Sequence, residues 1–288
     1  MSDAQLPIPS QISRLPLDRY LKSDGFSNSD LGELARSPMH YYHQRPKPQT
    51  DSMIFGSAFH AFLLEGREAF EGRYVEKPKG LRKGTKAYNE FLESMPLGAE
   101  VLPAGSTKLV EDMASQAMLH PDVSWLLASG EAESSWYWRD DDTRLVCRMR
   151  TDWWNPDAGV IVDLKSWSEV TRDKFEGQAE RMDYRRQAAF YVDGARAVLG
   201  EDAVKGFVLV AVEKDWPHGT EVYDAEPVLE AGREDYKRLL RVARQCIDRG
   251  EWPGYGSVDD DGNLKRQGIR PLRRPAWAQR TERVEDAW

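Results

Sequence analysis

The sequence predicts an α/β protein in which a helix is followed by three strands, a long helix and a further strand. One observation is the β-branched run at 159–162 (Gly-Val-Ile-Val), which is typical of a buried strand. Another is that polar turn residues at 140–143 and 155–159 separate three such runs from one another. The third is the long helical pattern at 171–198, which precedes a further apolar run at 206–213.

The part of the chain before these strands is predicted to be mostly helical after an extended start. Three prolines indicate that residues 1–25 form an extended amino-terminal arm. Residues 54–66 are almost wholly apolar and form a predicted helix, so their single histidine, His60, faces the interior or a cleft. Further helices are predicted at 28–37, 85–94 and 105–118. We therefore expect residues 67–130 to be a helical insertion.

The remaining elements complete a single predicted domain at 26–250. Strands are predicted at 134–139, 144–153, 159–166, 206–213 and 219–224. A closing helix is predicted at 227–249, where apolar residues recur at helical spacing. Residues 251–288 form a basic, proline-containing tail with three tryptophans, Trp252, Trp277 and Trp288. The tryptophans fit either a docking segment or a strap packed over the core, and the sequence leaves both open.

Two carboxylates and a lysine stand out at the ends of two predicted strands. Asp163 and Lys165 flank Leu164 at the end of the buried run, and alternation along a strand makes their side chains point the same way. Burying a charged pair at the end of a strand costs folding free energy unless the pair has a function or a binding partner that requires it. Asp152 ends the preceding strand. Carboxylates that converge beside a lysine suit a divalent cation with an activated water, as in a metal-dependent phosphodiesterase.

The Asp-x-Lys tripeptide is weak evidence on its own, because the chain contains it twice. The second copy, Asp235 and Lys237, lies in the predicted helix at 227–249, where the two side chains are about 200° apart and cannot share a site. Only the copy at Asp163 and Lys165 has a strand context. On these residues alone, a surface salt bridge remains the alternative to a metal site.

Three further signals accompany this pair, and each has an ordinary structural explanation. His60 on its apolar helix is either a metal ligand or a buried histidine with a satisfied hydrogen bond. Gln187 and Tyr191 are four residues apart, so they share a helix face, which an amphipathic surface helix would also show. Glu133 comes just before the first predicted strand. Their order along the chain is more specific than any one of them.

That order resembles the PD-(D/E)xK nuclease superfamily, in particular its RecB-like branch and the RecE-type phage exonucleases (exonuclease VIII). The matching motifs run in the family's order over residues 26–200. They lie at 27–31, 36–42, 55–60 (Phe-Gly-Ser-Ala-Phe-His), 132–135 (Ala-Glu-Ser-Ser), 150–153 (Arg-Thr-Asp-Trp), 162–165 (Val-Asp-Leu-Lys) and 184–194. The resemblance implies an αβββαβ core, with a mixed central sheet flanked by helices.

The resemblance also assigns roles to the candidate residues. The predicted metal ligands are His60, Asp152, Asp163 and the carbonyl of Leu164. The predicted catalytic residues are Lys165, which acts on the attacking water and the transition-state charge, together with Glu133, Gln187 and Tyr191, which hold a second metal, waters or the scissile phosphate. The expected cofactor is Mg²⁺, which Mn²⁺ can replace, with two ions in each site.

The function that the resemblance implies is a 5′-to-3′ exonuclease on linear double-stranded DNA. It would release 5′-phosphomononucleotides and leave 3′ single-stranded overhangs for homologous recombination by a single-strand annealing partner protein. RecE-type relatives form tetrameric rings and the related lambda exonuclease a trimeric one, so we expect a ring, with the tetramer favoured. The alternatives are an endonuclease or single-strand nuclease on the same fold, and a catalytically silent DNA-binding module.

Composition is compatible with this function and excludes some others. The 288 residues are 40% apolar and 31% charged, with no apolar run long enough to cross a membrane and no secretory leader. We expect a cytoplasmic protein of a bacterial host, encoded by a phage or prophage. The two cysteines, Cys147 and Cys246, have no metal-type spacing and are predicted core residues. Two are too few for an iron–sulfur cluster held by four cysteines.

Net charge and its distribution bear on DNA binding. The net charge of −8 disfavours a simple DNA-coating protein, but a nuclease needs only a local basic surface. The first candidate surface is the stretch 73–86, from which we predict Arg82, Lys83 and Lys86 as DNA-binding residues. The second is the basic tail at 265–283. Either stretch could instead be an ordinary solvated loop, and for the tail we favour that explanation.

Overall fold

A computed structural model describes residues 7–45, 48–266, 268, 269 and 271–274 of the chain. The strands are β1 (Ser10–Ile12), β2 (Tyr74–Glu76), β3 (Glu100–Leu102), β4 (Glu131–Arg139), β5 (Val146–Asn155), β6 (Val160–Trp167), β7 (Gly206–Glu213) and β8 (Thr220–Asp224). The helices are α1 (Leu17–Lys22), α2 (Asn28–Arg36), α3 (Pro38–Tyr42), α4 (Asp51–His60), α5 (Arg67–Arg73), α6 (Lys86–Ser94), α7 (Ser106–Leu119), α8 (Pro121–Leu126), α9 (Arg172–Arg181), α10 (Tyr184–Leu199) and α11 (Leu229–Arg249). A π-helical turn, Ala61–Glu65, follows α4 directly.

The main sheet confirms the predicted fold class. Its strand order in the described residues is β1-β4-β5-β6-β7-β8, and β6 and β7 run parallel while their neighbours are antiparallel. The sheet is therefore mixed, and α9 and α10 form the connection between the two parallel strands, which a tight turn cannot join. Together with α4 before the strands, these elements give the predicted order of helix, three strands, helix and strand.

Each face of the sheet is covered by helices, as the alternation of buried side chains requires. On β6 and β7, Ile161 and Leu209 pack in one core cluster with residues of α10 and α11. Val162 and Val210, one position further along, pack in a second cluster with residues of α4 and α7. Because successive side chains of a strand point to opposite faces, the odd-numbered residues of β6 face α10 and the even-numbered ones face α4.

The long helix predicted at 171–198 is in fact two helices. Helix α9 ends at Arg181, and α10 begins at Tyr184 after Asp183, whose φ of 53° lies in the left-handed region. An L-residue with a positive φ cannot continue a right-handed helix, so the chain changes direction there. The sequence has neither glycine nor proline at this point, which is why its helical pattern runs on without a visible break.

The amino-terminal segment differs from the extended arm that the prolines predict. Residues 10–12 form β1, which pairs antiparallel with β4 at the edge of the sheet, and α1 follows directly. Leu15 and Tyr20 are buried against Tyr137 of β4. The prolines lie outside the β1 ladder, where no strand hydrogen bond is lost, and Pro16 precedes the first residue of α1. Residues 7–25 therefore form a packed edge of the sheet.

Smaller differences concern the insertion, the first strand and the tail. The 67–130 region includes a two-stranded parallel sheet, β2 with β3, beside its helices. Strand β4 starts at Glu131, three residues earlier than predicted, so Glu133 lies inside it. Trp252 stacks on Tyr42 with ring centroids 5.4 Å apart, which favours the strap explanation for this part of the tail. Trp277 and Trp288 lie outside the described residues.

Both cysteines are buried and unpaired, as predicted. Cys147 on β5 and Cys246 on α11 belong to the core cluster between the sheet and α10. Burial raises the pKa of Cys147 far above its ordinary range, so its thiol is neutral at physiological pH. Among the described helices, none combines the length and apolarity that crossing a membrane requires.

A glycine at the crossing of α10 and α11 provides a stability prediction. A Cβ on Gly232 would lie 2.0 Å from the carbonyl oxygen of Arg185, because the two helix backbones approach closely there. Gly232→Ala is expected to lower the free energy of unfolding by about 1–3 kcal/mol, the usual cost of overpacking. Chemical denaturation would measure it.

The matched control is Gly177→Ala in α9, where an added Cβ has no neighbour within 4 Å. This change is expected to leave stability unchanged or to raise it by up to about 1 kcal/mol, because alanine favours the helix. If the Gly232→Ala and Gly177→Ala variants unfolded at the same denaturant concentration, the close approach of α10 and α11 would be contradicted.

Candidate active site

Asp163 and Lys165 share one face of β6, as the sequence predicts. The Lys165 ammonium forms an ion pair with Oδ2 of Asp163, and both side chains are largely buried. From α10, the Gln187 side-chain amide donates a hydrogen bond of 2.7 Å to Oδ1 of the same carboxylate. A strand and the helix that covers it therefore converge on Asp163.

Asp152 joins this group at the point where two strands stop pairing. The ladder between β5 and β6 covers only 153–155 and 160–162, so Asp152 and Asp163 are the first residues beyond it on their strands. The Leu164 backbone N–H donates to Oδ2 of Asp152 at 2.9 Å. The Asp152 side chain thus provides the partner for a backbone donor that the ladder leaves unpaired, and this fixes its position beside Asp163.

His60 reaches the same carboxylate from the other face of the sheet. It is the last residue of α4, and its Nδ1 lies 3.4 Å from Oδ2 of Asp152. The π-helical turn begins at the next residue, whereas the sequence predicts one regular helix over 54–66. Isolated π turns within helices are frequent at functional sites because they redirect a side chain.

Glu133 lies opposite Asp152 on the neighbouring strand. The pairs Ala132–Trp153 and Ser134–Thr151 flank it, and its own φ of 56° is left-handed, a strained conformation for a non-glycine residue. Its carboxylate forms an ion pair with Arg150. Burial raises the pKa of Glu133, and the negative charge of Asp152 raises it further.

Two tyrosines of α10 complete the site, and sequence reasoning assigned a role to only one of them. Burial raises the pKa of the Tyr191 phenol well above the ordinary value, so it remains protonated. Tyr184, which is not among the predicted site residues, has its ring centroid 4.7 Å from Nζ of Lys165, a cation–π contact. Its spacing of three residues from Gln187 was the available signal, because residues i and i+3 share a helix face.

The charges of this cluster influence one another strongly. Burial would lower the pKa of His60, but the Asp152 carboxylate outweighs it and the net shift is upward. Burial raises the pKa of Asp163 in spite of Lys165. For Asp152, the nearby His60 and Lys165 overcome burial, and its pKa is lowered.

The side chains of the cluster carry ligand atoms that a divalent cation prefers, and one of these atoms, Oδ2 of Asp163, lacks a hydrogen bond. Oδ2 of Asp163 is buried and has the Lys165 ammonium in contact but no hydrogen bond of good geometry. Two carboxylates with an imidazole are suitable ligands for Mg²⁺ or Mn²⁺. Within the described ranges, no three His, Cys, Asp or Glu side chains are already arranged around a common point. In this arrangement Lys165 neutralises the Asp163 carboxylate.

The predicted DNA-binding residues lie outside the cluster but are attached to one of its helices. Arg82, Lys83 and Lys86 are exposed, and Lys83 forms an ion pair of 2.9 Å with Asp51, the first residue of α4. His60 is the last residue of that helix, about 13 Å away at the helical rise. The structure therefore places this basic stretch at the opposite end of α4 from the cluster.

Comparisons with known proteins agree with this fold. The family described as "PDDEXK-like domain of unknown function (DUF3799)" matches residues 27–260. The structure is similar to a crystal structure from Eubacterium rectale of a protein provisionally named an exonuclease, with a TM-score of 0.57 and 14% sequence identity. That similarity covers 90% of this chain and 96% of the other. No curated protein sequence matches the chain.

Proposed function

Because this chain belongs to the PDDEXK-like family DUF3799, we propose that it is a metal-dependent nuclease, and specifically a RecE-type 5′-to-3′ exonuclease on linear double-stranded DNA. The observation that carries the proposal is the convergence of Asp152, Asp163 and Lys165 where β5 and β6 separate. The exonuclease name of the Eubacterium rectale protein supports cleavage from ends. The direction of digestion rests on the family resemblance.

Mg²⁺ is the proposed cofactor, with Mn²⁺ as a substitute and two ions in each site. His60, Asp152, Asp163 and the Leu164 carbonyl would hold it. When bound, the metal lowers the pKa of water and neutralises charge on the phosphate. The protein excludes bulk water from Asp163, which is 3% exposed. Because the site is shielded from bulk water, the charges of the carboxylates, of Lys165 and of a bound cation would interact more strongly than they would in solvent.

Lys165 has the central proposed role in hydrolysis. Held between Asp163 and the Tyr184 ring, its ammonium orients the attacking water and stabilises the negative charge that develops on the phosphate. The water oxygen bonds to phosphorus as the bond to the 3′ oxygen breaks, and that oxygen takes up a proton. The products are a 5′-phosphomononucleotide, which carries the new 3′-hydroxyl, and a shortened strand that begins with a 5′-phosphate.

Gln187, Tyr191 and Glu133 support this arrangement. Gln187 fixes the rotamer of Asp163 by its hydrogen bond, and Tyr191 lies one helical turn further along the same face of α10. Glu133, opposite Asp152 and paired with Arg150, is the proposed holder of a second cation or its waters. Such supporting contacts affect activity through the ligands that they position.

The proposed partners of the enzyme follow from its proposed product. A 3′ overhang is the substrate of a single-strand annealing protein, which we propose as the partner in phage-type recombination within a bacterial cytoplasm. A closed ring, with the tetramer favoured over the trimer, would keep the duplex threaded and make digestion processive. Analytical ultracentrifugation of the pure protein would determine the number of subunits.

The experiment that tests the function is digestion of linear duplex DNA with Mg²⁺, labelled separately at each 5′ and 3′ end. Early release of the 5′ label as a mononucleotide, with no cleavage of closed circles, is the expected result. Cleavage of circles would instead indicate an endonuclease, and digestion of single strands alone would indicate a single-strand nuclease. Metal-independent binding without cleavage of any substrate would indicate a silent DNA-binding module.

The basic stretch provides a separate prediction about DNA affinity. Replacing Arg82 and Lys86 together with alanine is expected to weaken duplex binding and to reduce the slope of log affinity against log salt by about 0.9 for each lost phosphate contact. Fluorescence anisotropy at several salt concentrations would measure the slope. Lys108→Ala, an exposed lysine on α7, is the matched control, and an unchanged slope for the double variant would remove this stretch from the DNA surface.

A further inference from the structure

Two exposed tryptophans lie at the carboxyl ends of the two parallel strands. Trp167 is the last residue of β6 and 37% exposed, and Trp216 is 75% exposed in the turn between β7 and β8. The register pairs Trp167 with Glu213, the last residue of β7, so the turn that carries Trp216 starts beside it. The backbone N–H of Lys214 donates to the Trp167 carbonyl at 2.8 Å. We call Trp167, Lys214 and Trp216 the strand-end surface.

This surface continues directly from the candidate active site. Asp163, Lys165 and Trp167 alternate along β6 with single residues between them, so their side chains emerge on one face. A step of two strand residues is about 7 Å, which places Trp167 one such step beyond Lys165. A strand of DNA whose phosphate lies at Lys165 therefore has its next nucleotides within reach of Trp167.

Positive charge lies at the α4 face of the sheet, across the strand ends from the α10 face on which the Trp167 side chain emerges. The Lys214 ammonium lies 5.2 Å from the Phe55 ring centroid and donates to Ser52 at 3.2 Å, so it is anchored at the start of α4. Asp51, the neighbouring residue, forms its ion pair with Lys83 of the basic stretch. The turn and the basic stretch thus meet at the same helix end, although Asp215, and Glu169 two residues after Trp167, add exposed negative charges.

We propose that the strand-end surface binds unpaired bases of the DNA, by stacking on Trp167 and Trp216 while Lys214 and Lys83 attract the phosphates. The proposal rests on the proposed nuclease function, whose site it extends. Exposed aromatic rings beside lysines are the common device for single-stranded nucleic acid, because every base offers a flat face whatever its sequence. In an intact duplex those faces are covered by neighbouring bases, so an unpaired segment is the occupant that fits.

The test measures binding of a fluorescein-labelled oligothymidine by anisotropy in a Lys165→Ala background, which avoids digestion. Trp167→Ala and Trp216→Ala are each expected to weaken binding roughly 5- to 150-fold, the range found for loss of one stacked base. Trp125→Ala is the matched control, because Trp125 is 62% exposed on α8, outside this surface. Trp167→Phe retains an aromatic ring, so it should keep most of the affinity and separates stacking from misfolding.

Two results would overturn the proposal. One is an affinity of the Trp167→Ala and Trp216→Ala variants equal to that of Trp125→Ala. The other is a Trp167→Ala or Trp216→Ala variant that dissociates from an oligomer into smaller species in sedimentation but keeps the wild-type affinity for oligothymidine. That result would make the strand-end surface a contact between subunits. Digestion by the wild type is measured separately: tryptophan-dependent binding without any metal-dependent cleavage would refute the nuclease and leave the strand-end surface supported.

Discussion

Lys165→Ala is expected to slow hydrolysis of linear duplex DNA by about 10²–10⁴-fold, because it removes the only ammonium in contact with Asp163 among the described residues. The change deletes the group that orients water and stabilises transition-state charge, while every proposed metal ligand remains. Single-turnover cleavage of an end-labelled duplex under saturating Mg²⁺ would measure it. Cleavage within about threefold of wild type would refute the role of Lys165.

Lys237→Ala is the matched control for this variant. Lys237 belongs to the second Asp-x-Lys, on α11, where the helical spacing keeps Asp235 and Lys237 from sharing a site. Its replacement should leave the cleavage rate unchanged. If both lysine variants lose activity equally, the loss reflects DNA affinity or folding and does not identify a catalytic lysine.

Lys165→Ala also has an expected effect on stability. Without the ammonium, the buried Asp163 carboxylate keeps the Gln187 amide as its remaining hydrogen-bond donor, and breaking such a buried pair costs about 3–5 kcal/mol. Added Mn²⁺ should restore part of the loss, because a cation that binds only the folded protein stabilises it by mass action. Thermal unfolding with and without Mn²⁺ would show the difference.

Asp163→Asn is expected to abolish cleavage, with a loss of at least about 10²–10³-fold, because it removes the charge at the centre of the cluster. The amide keeps the shape of the side chain and the oxygen that accepts from Gln187. Metal affinity should fall together with activity, whereas DNA affinity should persist or increase as negative charge is lost. Calorimetric titration with Mn²⁺ and anisotropy with a duplex would measure the two affinities.

Asp141→Asn is the control for the charge change, since Asp141 is fully exposed in the turn between β4 and β5. It should leave both metal affinity and cleavage unaltered. If the Asp163→Asn variant bound Mn²⁺ with the wild-type affinity, the assignment of Asp163 as a metal ligand would be wrong, even if the variant were inactive. The carboxylate would then act only as the partner of Lys165.

The candidate site could be predicted largely from the sequence, because its residues lie on regular elements. Alternation along β6 alone puts Asp163 and Lys165 on one face, and helical spacing does the same for Gln187 and Tyr191. The structure brings these residues together with Asp152, His60 and Glu133. Their catalytic and metal-binding roles stay predictions until the variants are measured.

The fold was less predictable where local and tertiary forces disagree. The arm at 1–25 contains β1 and α1 because its Leu15 and Tyr20 gain burial against Tyr137, which a proline count does not reveal. The break before α10 has the same origin. Left-handed Asp183 costs strain, and the packing of α10 across the sheet offsets it by bringing Tyr184 and Gln187 over β6.

The sequence by itself determined the order of elements and the chemistry of the candidate residues, since periodicity and side-chain type are local properties. Only the tertiary structure decided that β5 and β6 separate at Asp152, that His60 reaches through from the opposite face, and that Trp167 and Trp216 adjoin the site. These features depend on contacts between residues far apart in the chain. Such contacts form when buried surfaces pack, and no local pattern encodes them.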